Sequence, residues 1–211
     1  MRPREDYLNF NGAFLATNTS LVSRGAPGKG ETLLTRALTT RGNLAFSSED
    51  HRDVRLHYDS RIIPRLSYGE TYSLAGCVLG GRKYEMPFLD CERHLSDPSR
   101  NVVGEGVPPN ITGVGSIVGV FKLNDNVNDG DNVEVFVVHK VDEYTEFGEK
   151  KILVKYVLDM NLCGSGFSDS LANGQRGRFE GVLNGWSRRD HAMMVEVSYS
   201  KRSVMTMMGT S

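Results

Sequence analysis

The chain has 211 residues, 39% of them hydrophobic, and sets 25 Lys and Arg against 26 Asp and Glu. That much apolar side chain excludes a disordered protein, and a net charge of −1 excludes a uniformly polybasic one. Charges of both signs can still separate onto opposite faces. Three cysteines, Cys77, Cys91 and Cys163, are too few and odd in number for a disulfide framework, so an intracellular setting, cytoplasmic or nuclear, is expected. The start, Met1-Arg2-Pro3-Arg4, has no apolar stretch behind its charges, as a secretory leader requires; a leader already removed would leave the same start. No apolar run reaches the length of a membrane span, so a soluble protein without a membrane partner is expected.

In chain order, Ala13-Phe14-Leu15-Ala16 reads as a strand and Gly25–Gly30 as a loop. Residues 31–38 read as a short helix, since Leu34 and Leu38 lie four apart and Gly42 can end it. Asn43–Ser47 is expected to be a short strand, and Val54-Arg55-Leu56-His57-Tyr58 alternates like another. A dense β region follows. Thr71–Leu79 turns at Gly80-Gly81 into Lys83–Cys91, and Ser96–Gly115 is a long, proline-bearing connection. Ser116–Leu123 and Val133–Val141 flank an Asn/Asp/Gly loop at 124–132, and Lys151–Met160 pairs back on the second of them. Asn161–Gly177 is Gly/Ser-rich. Arg178–Leu183 and Ala192–Tyr199 form a last hairpin around Asn184-Gly185, and no internal sequence repeat is evident.

These elements give an all-β chain. Residues 1–65 read as an N-terminal extension, with short strands and one short helix, packed on a β-barrel of residues 66–200; residues 201–211 read as a disordered tail. Hydrophobic alternation fixes strands but not their order, so a jelly roll or another β-sandwich is the alternative architecture.

Five strands over about residues 66–160 resemble the oligonucleotide/oligosaccharide-binding (OB) fold. The carriers are Tyr68-Gly69-Glu70-Thr71-Tyr72-Ser73-Leu74-Ala75-Gly76, a first strand with a glycine at which a coiled strand can bend, and Gly115 to Gly119 entering the third. The resemblance implies an OB-like barrel with additional flanking strands. In that fold a helix lies between the third and fourth strands, whereas here the long connection comes earlier.

The residues offer little for covalent chemistry, so an enzyme is the less expected reading; no catalytic residue, metal site or cofactor is assigned. Gly25-Ala26-Pro27-Gly28-Lys29-Gly30-Glu31-Thr32 is not a phosphate-binding loop, because Gly30 and Glu31 separate the lysine from the hydroxyl that would meet the metal. Cys91-Glu92-Arg93-His94 has two metal-type ligands, but with only Cys77 and His57 as near partners it lacks a second paired spacing. The Asp125–Asp131 loop departs from calcium-loop spacing, and no nucleophile elbow occurs.

Basic and aromatic residues, in contrast, cluster on expected loops and hairpin ends. They are Arg55, Tyr58 and Arg61; Arg82, Lys83 and Tyr84; and Arg176, Arg178, Trp186, Arg188 and Arg189. Cations that follow phosphates, beside rings on which bases stack, are what binding a single strand of nucleic acid requires. A non-enzymatic protein that binds single-stranded DNA or RNA is therefore expected, with these residues as its site. The alternative is a structural or interaction protein, coat-like or effector-like, that self-associates into a homo-oligomer. Its apolar contacts would come from Phe147, Phe167, Trp186 and the Met205-Met207-Met208 tail.

Overall fold

The structure, a computed structural model, describes residues 7–23, 32–39, 53–94, 109–123, 132–143, 148–159, 171–197 and 206–207. Among them are thirteen strands and no helix. The strands are β1 (Asn9–Ala16), β2 (Leu21–Ser23), β3 (Thr32–Thr39), β4 (Asp53–Asp59), β5 (Thr71–Gly80), β6 (Phe88–His94) and β7 (Asn110–Leu123), then β8 (Asn132–Lys140), β9 (Asp142–Glu143), β10 (Lys151–Asp159), β11 (Arg176–Ser187), β12 (Ala192–Val197) and β13 (Thr206–Met207).

The segment expected as a helix is β3. Leu33, Thr35 and Ala37 are buried, whereas Leu34, Arg36 and Leu38 are half-buried or exposed, a period of two. Leu34 and Leu38 satisfy helical and strand spacing alike, and the threonines of this stretch favour the strand. The loops at 25–31, 124–131 and 160–170, the expected strand at 43–47, Phe147, Phe167, Met205 and Met208 lie outside the described residues. Of the expected disordered tail, Thr206 and Met207 are described, and they pair with β11.

The strand ladder closes on itself twice. β1 pairs with β3, β3 with β4, β4 with β6, β6 with β5 and β5 again with β1, all antiparallel except β4 with β6. β7 pairs with β8, β8 with β10, β10 with β12, β12 with β11 and β11 again with β7, all antiparallel except β10 with β12. Counted within each ring, the strands follow one order, 1-2-3-5-4 and back to 1. The rings meet where Asn9–Asn11 of β1 pair with Asn110–Thr112 of β7, and a single apolar core containing Phe14, Tyr58, Ile111, Tyr156 and Phe179 runs through both.

This pairing regroups the strands. β1, β3 and β4, which lie in the expected N-terminal extension, share the first ring with β5 and β6. The connection expected at Ser96–Gly115 ends sooner, because Asn110–Gly115 already belong to β7; it leads from β6, the last strand of the first ring, to β7, the first strand of the second. The final hairpin also turns elsewhere than expected. β11 runs through Asn184 and Gly185, where its register with β12 shifts between Leu183 and Gly185, and the turn is Arg188–His191. Asn-Gly here marks a bulge, with Gly185 at φ 136°.

A second bond between the rings lies at β9, which pairs with β5 through Leu79↔Asp142 and Gly80↔Glu143. Glu149 N donates to Gly81 O at 2.9 Å. A Cβ on Gly80 would sit 1.8 Å from Glu149 O. The obstacle is backbone, so no rotamer relieves it. Gly80→Ala is expected to cost about 1–3 kcal/mol and to expose the Glu149 amide, read from the urea midpoint and from hydrogen exchange at that amide.

Candidate nucleic-acid interface

Four of the expected site residues converge where the rings face each other. Arg55 on β4, Tyr84 on the 81–87 loop, and Trp186 and Arg188 at the end of β11 line one groove of about 440 Å³, together with Arg36, Asp53, Glu85, Met86 and His191. Arg82 lies in an adjoining cleft that shares Tyr84, Trp186 and His191 with the groove. Both loops occupy the same place in their rings, the connection between the fourth and fifth strands.

The two loops touch through Tyr84 and His191, whose ring centroids are 4.8 Å apart with the planes inclined at 41°. Tyr84 is 61% exposed. Lys83 Nζ stands 4.8 Å from the Tyr84 ring centroid, and its bond to Tyr84 holds the Lys83 ammonium above its ordinary pKa. Tyr84 (φ 64°) and His191 (φ 48°) are also the non-glycine residues with left-handed backbone among the described residues. Such conformations cost energy, and they persist where surrounding structure holds them, often at binding sites.

The turn carrying Arg188, Arg189 and His191 is pinned from beneath. Asp190 N donates to Ser187 Oγ at 3.3 Å, Ser187 Oγ donates to Asp190 Oδ2 at 3.1 Å, and Lys155 Nζ donates to the same oxygen at 2.6 Å. Lys155 also meets Glu134 Oε1 at 3.2 Å. Burial pulls the Lys155 ammonium down, but Asp190 and Glu134 outweigh it and hold its pKa above the ordinary value. With Asp190 tied to Lys155 and Ser187, the two arginines that precede it, Arg188 and Arg189, are exposed. The groove's own acids are also engaged: Asp53 with Arg36 at 3.6 Å and Glu85 with Arg55 at 3.8 Å.

Tyr58, Arg61, Arg176 and Arg178 fall elsewhere, and two of the three expected rings are not stacking surfaces. Tyr58 is fully buried, and its hydroxyl binds the Ser20 hydroxyl and accepts from Leu66 N at 3.0 Å. It faces the core because it follows Val54 and Leu56 on the inward face of β4. Trp186, 6% exposed, is core that reaches the groove as its floor. Arg61 is exposed but chelates Asp59 with contacts of 2.5–3.1 Å, and its hydrogen bonds hold the Asp59 carboxyl down at about 2. Arg176 and Arg178 are exposed at the other end of β11, roughly 33 and 26 Å along the strand from Trp186. Arg36 and His191 were missed in the sequence. One stood in an apparent helix, and the other lay beyond a misplaced turn.

Cys91, considered as a ligand, is core, and burial pushes its thiol pKa well up. The Cys77 thiol and the Asp90 and Glu92 carboxylates lie within 4.8 Å of one another, but Cys77 Sγ bonds Glu92 at 3.6 Å and Asp90 meets His57 at 2.6 Å. That cluster is accounted for by its own hydrogen bonds.

Among solved structures, the single-stranded DNA binding protein from Thermus aquaticus superposes with a TM-score of 0.56, over 97% of this chain and 95% of that one, at 12% sequence identity. The fold is of the OB type. The coverage takes in both closed rings, and the strand order within each agrees with the assignment. A replication protein A heterotrimer bound to ssDNA matches over 98% of this chain and 50% of that one, at 10% identity and a TM-score of 0.26, too low to carry weight. No family model matches the chain, and no curated protein does. No helix of the described residues is long and apolar enough to cross a membrane.

Proposed function

We propose that the groove between the two OB rings binds single-stranded nucleic acid without covalent chemistry. The observation that carries the reading is Tyr84, an exposed ring held between Lys83 and His191, with Arg36, Arg55 and Arg188 around the same groove. A base stacks on the free face of such a ring while the cations meet its flanking phosphates. The position also supports it, because OB folds bind oligonucleotides across strands two and three and the loops 1–2 and 4–5. Arg36 and Arg55 lie on strands two and three of the first ring, and Tyr84 and His191 lie on the 4–5 loops of both. A single strand is favoured over duplex because stacking needs an unpaired base face.

Five cations, Arg36, Arg55, Lys83, Arg188 and Arg189, are placed to meet phosphate. Counterion release then gives a log–log salt slope of about −3.5, so affinity for a labelled oligothymidylate is expected to fall about a hundredfold between 50 and 200 mM salt. Fluorescence anisotropy measures this. Binding indifferent to salt, or none at 50 mM, would end the reading.

Self-association is a second reading, favoured by the outer face of β7 and β8. Val118 and Phe121 are 50% and 56% exposed there, with Phe121 edge-on to Phe136 at 5.4 Å. A particle mass by light scattering that stays monomeric across concentration removes it.

A further inference from the structure

We infer that the second ring carries a separate phosphate-binding site, formed by Lys140, Lys150 and Lys151 beside Tyr7, that extends the path of a single strand from the inter-ring groove. This rests on the reading above and adds a site that no residue of the groove supplies.

The four residues line a pocket of about 420 Å³, together with Val141 and one carboxylate, Asp142. Lys140 and Lys151 are direct cross-strand partners on β8 and β10. Both are exposed, as is Lys150 next to them. Like charges directly opposite each other work against sheet stability, so the arrangement is one that a bound anion relieves. Tyr7 borders it by bridging to Lys140.

The first ring also opposes two cations, there with Asp53 and Glu85 beside them. Arg36 and Arg55 are direct partners on β3 and β4, and they line the inter-ring groove. In ring order, β3 and β4 are strands two and three, and so are β8 and β10. Each ring thus opposes two cations on its second and third strands, and each pair lines its own pocket. A phosphate backbone crossing both rings meets one pair after the other.

The lysine pocket is also tied to the loop that carries Tyr84. Glu149 N donates to Gly81 O at 2.9 Å, and Val141 N donates to Lys150 O at 3.0 Å. The cleft beside the groove is lined by Tyr84, Trp186 and His191 together with Glu149 and Ile152. Ile152 follows Lys151 directly in sequence. The groove and the cleft thus share Tyr84, Trp186 and His191, and the cleft's Glu149 and Ile152 flank Lys150 and Lys151 of the lysine pocket in the chain.

The chemistry selects phosphate diesters of an extended strand. The Lys140 and Lys151 ammonium groups act as point charges and do not read base identity. The site is expected to add affinity only for strands long enough to reach it from Tyr84.

The test uses the full chain and labelled oligothymidylates of about 6 nucleotides, within the span of one OB fold, and about 24, beyond it. The double variant Lys140→Gln/Lys151→Gln is compared with the charge-matched Arg65→Gln/Lys122→Gln. For the long strand, the lysine variant is expected to lose about tenfold in affinity at low salt, with a salt slope shallower by about 1.4, two phosphate contacts. The short strand is expected to bind all three proteins alike, and Lys151→Gln alone to give an intermediate loss on the long one. Equal losses on both lengths, or a loss no larger than in the control, overturn the lysine site while leaving the groove standing. If the wild-type protein binds neither strand, both readings fall together.

Discussion

Trp186→Ala and Tyr84→Ala are expected to separate cleanly, the first lowering stability and the second lowering affinity. Trp186 is 6% exposed and packs in the common core. Truncating a buried aromatic costs about 3–5 kcal/mol, because the transfer energy is lost and a cavity remains. For a chain of this size that lowers the melting temperature by roughly 6–20 °C. Tyr84 is 61% exposed, and its contacts are with Lys83 and His191 at the surface, so its removal should leave the melting temperature within a degree or two. Oligonucleotide affinity should instead fall by about 1–3 kcal/mol, roughly 5- to 150-fold, the cost of one stacked base. Differential scanning calorimetry and anisotropy on the two variants decide it. A Tyr84→Ala protein that binds like the wild type removes the stacking role, whatever its stability.

The second large effect is a loss of stability in mild acid, centred on His139. Its ring is fully buried in the second ring of strands, against Tyr156 and Phe179. Nδ1 donates to Val114 O at 3.1 Å, and Nε2 accepts from the Tyr156 hydroxyl at 3.0 Å. The neutral imidazole satisfies both. Burial disfavours the charged form and lowers the His139 pKa from 6.5 to about 4. Between those values the unfolded chain binds a proton that the folded chain refuses, so stability falls as pH drops from 6.5 toward 4. Above 6.5 the contribution is fully present, and below 4 no more is lost. The shift corresponds to about 3 kcal/mol in all, most of it gone by pH 4.5. Urea unfolding at pH 7.5 and 4.5 is expected to show a drop of about 2–3 kcal/mol. His139→Gln starts lower, having broken the Val114 and Tyr156 bonds, but should lose that much less between the two pH values. An equal drop in both proteins would place the acid sensitivity elsewhere.

Much of the strand content was legible because burial alternates with period two. Val54, Leu56 and Tyr58 are inward on β4, and Val133, Val135 and Val137 are inward on β8, as their spacing implies. Pairing was not legible. Nothing in Leu79 or Phe88 announces that β5 closes on β1, sixty residues earlier, rather than continuing to β7, because each strand offers the same backbone groups to any partner. The repeat of one connectivity was hidden for the same reason. It is a repeat of pairing, which hydrophobic alternation does not encode.

The candidate site was half legible. Arg82, Lys83, Tyr84, Arg188 and Arg189 were found because hairpin turns are exposed by geometry and their residues are polar for that reason. Tyr58 and Trp186 misled, since aromatic side chains serve a core as readily as a binding surface. Only the strand face tells them apart, and the bulge at Asn184 had hidden that face for Trp186. Arg36 was concealed by Leu34 and Leu38, whose spacing fits a helix. The meeting of Tyr84 with His191 depends on how two rings lean together, which no local pattern encodes.

Trp186 is the only tryptophan in the chain, and it lies in the floor of the groove and of the adjoining cleft. Its fluorescence therefore reports on the site that is proposed to bind. Titrating the protein with oligothymidylate at 50 mM salt is expected to change the Trp186 emission to saturation, with the change reversed by added salt and strongly weakened in Tyr84→Ala. An oligonucleotide that binds by anisotropy while leaving that emission untouched would place the nucleic acid elsewhere on the molecule and contradict the account.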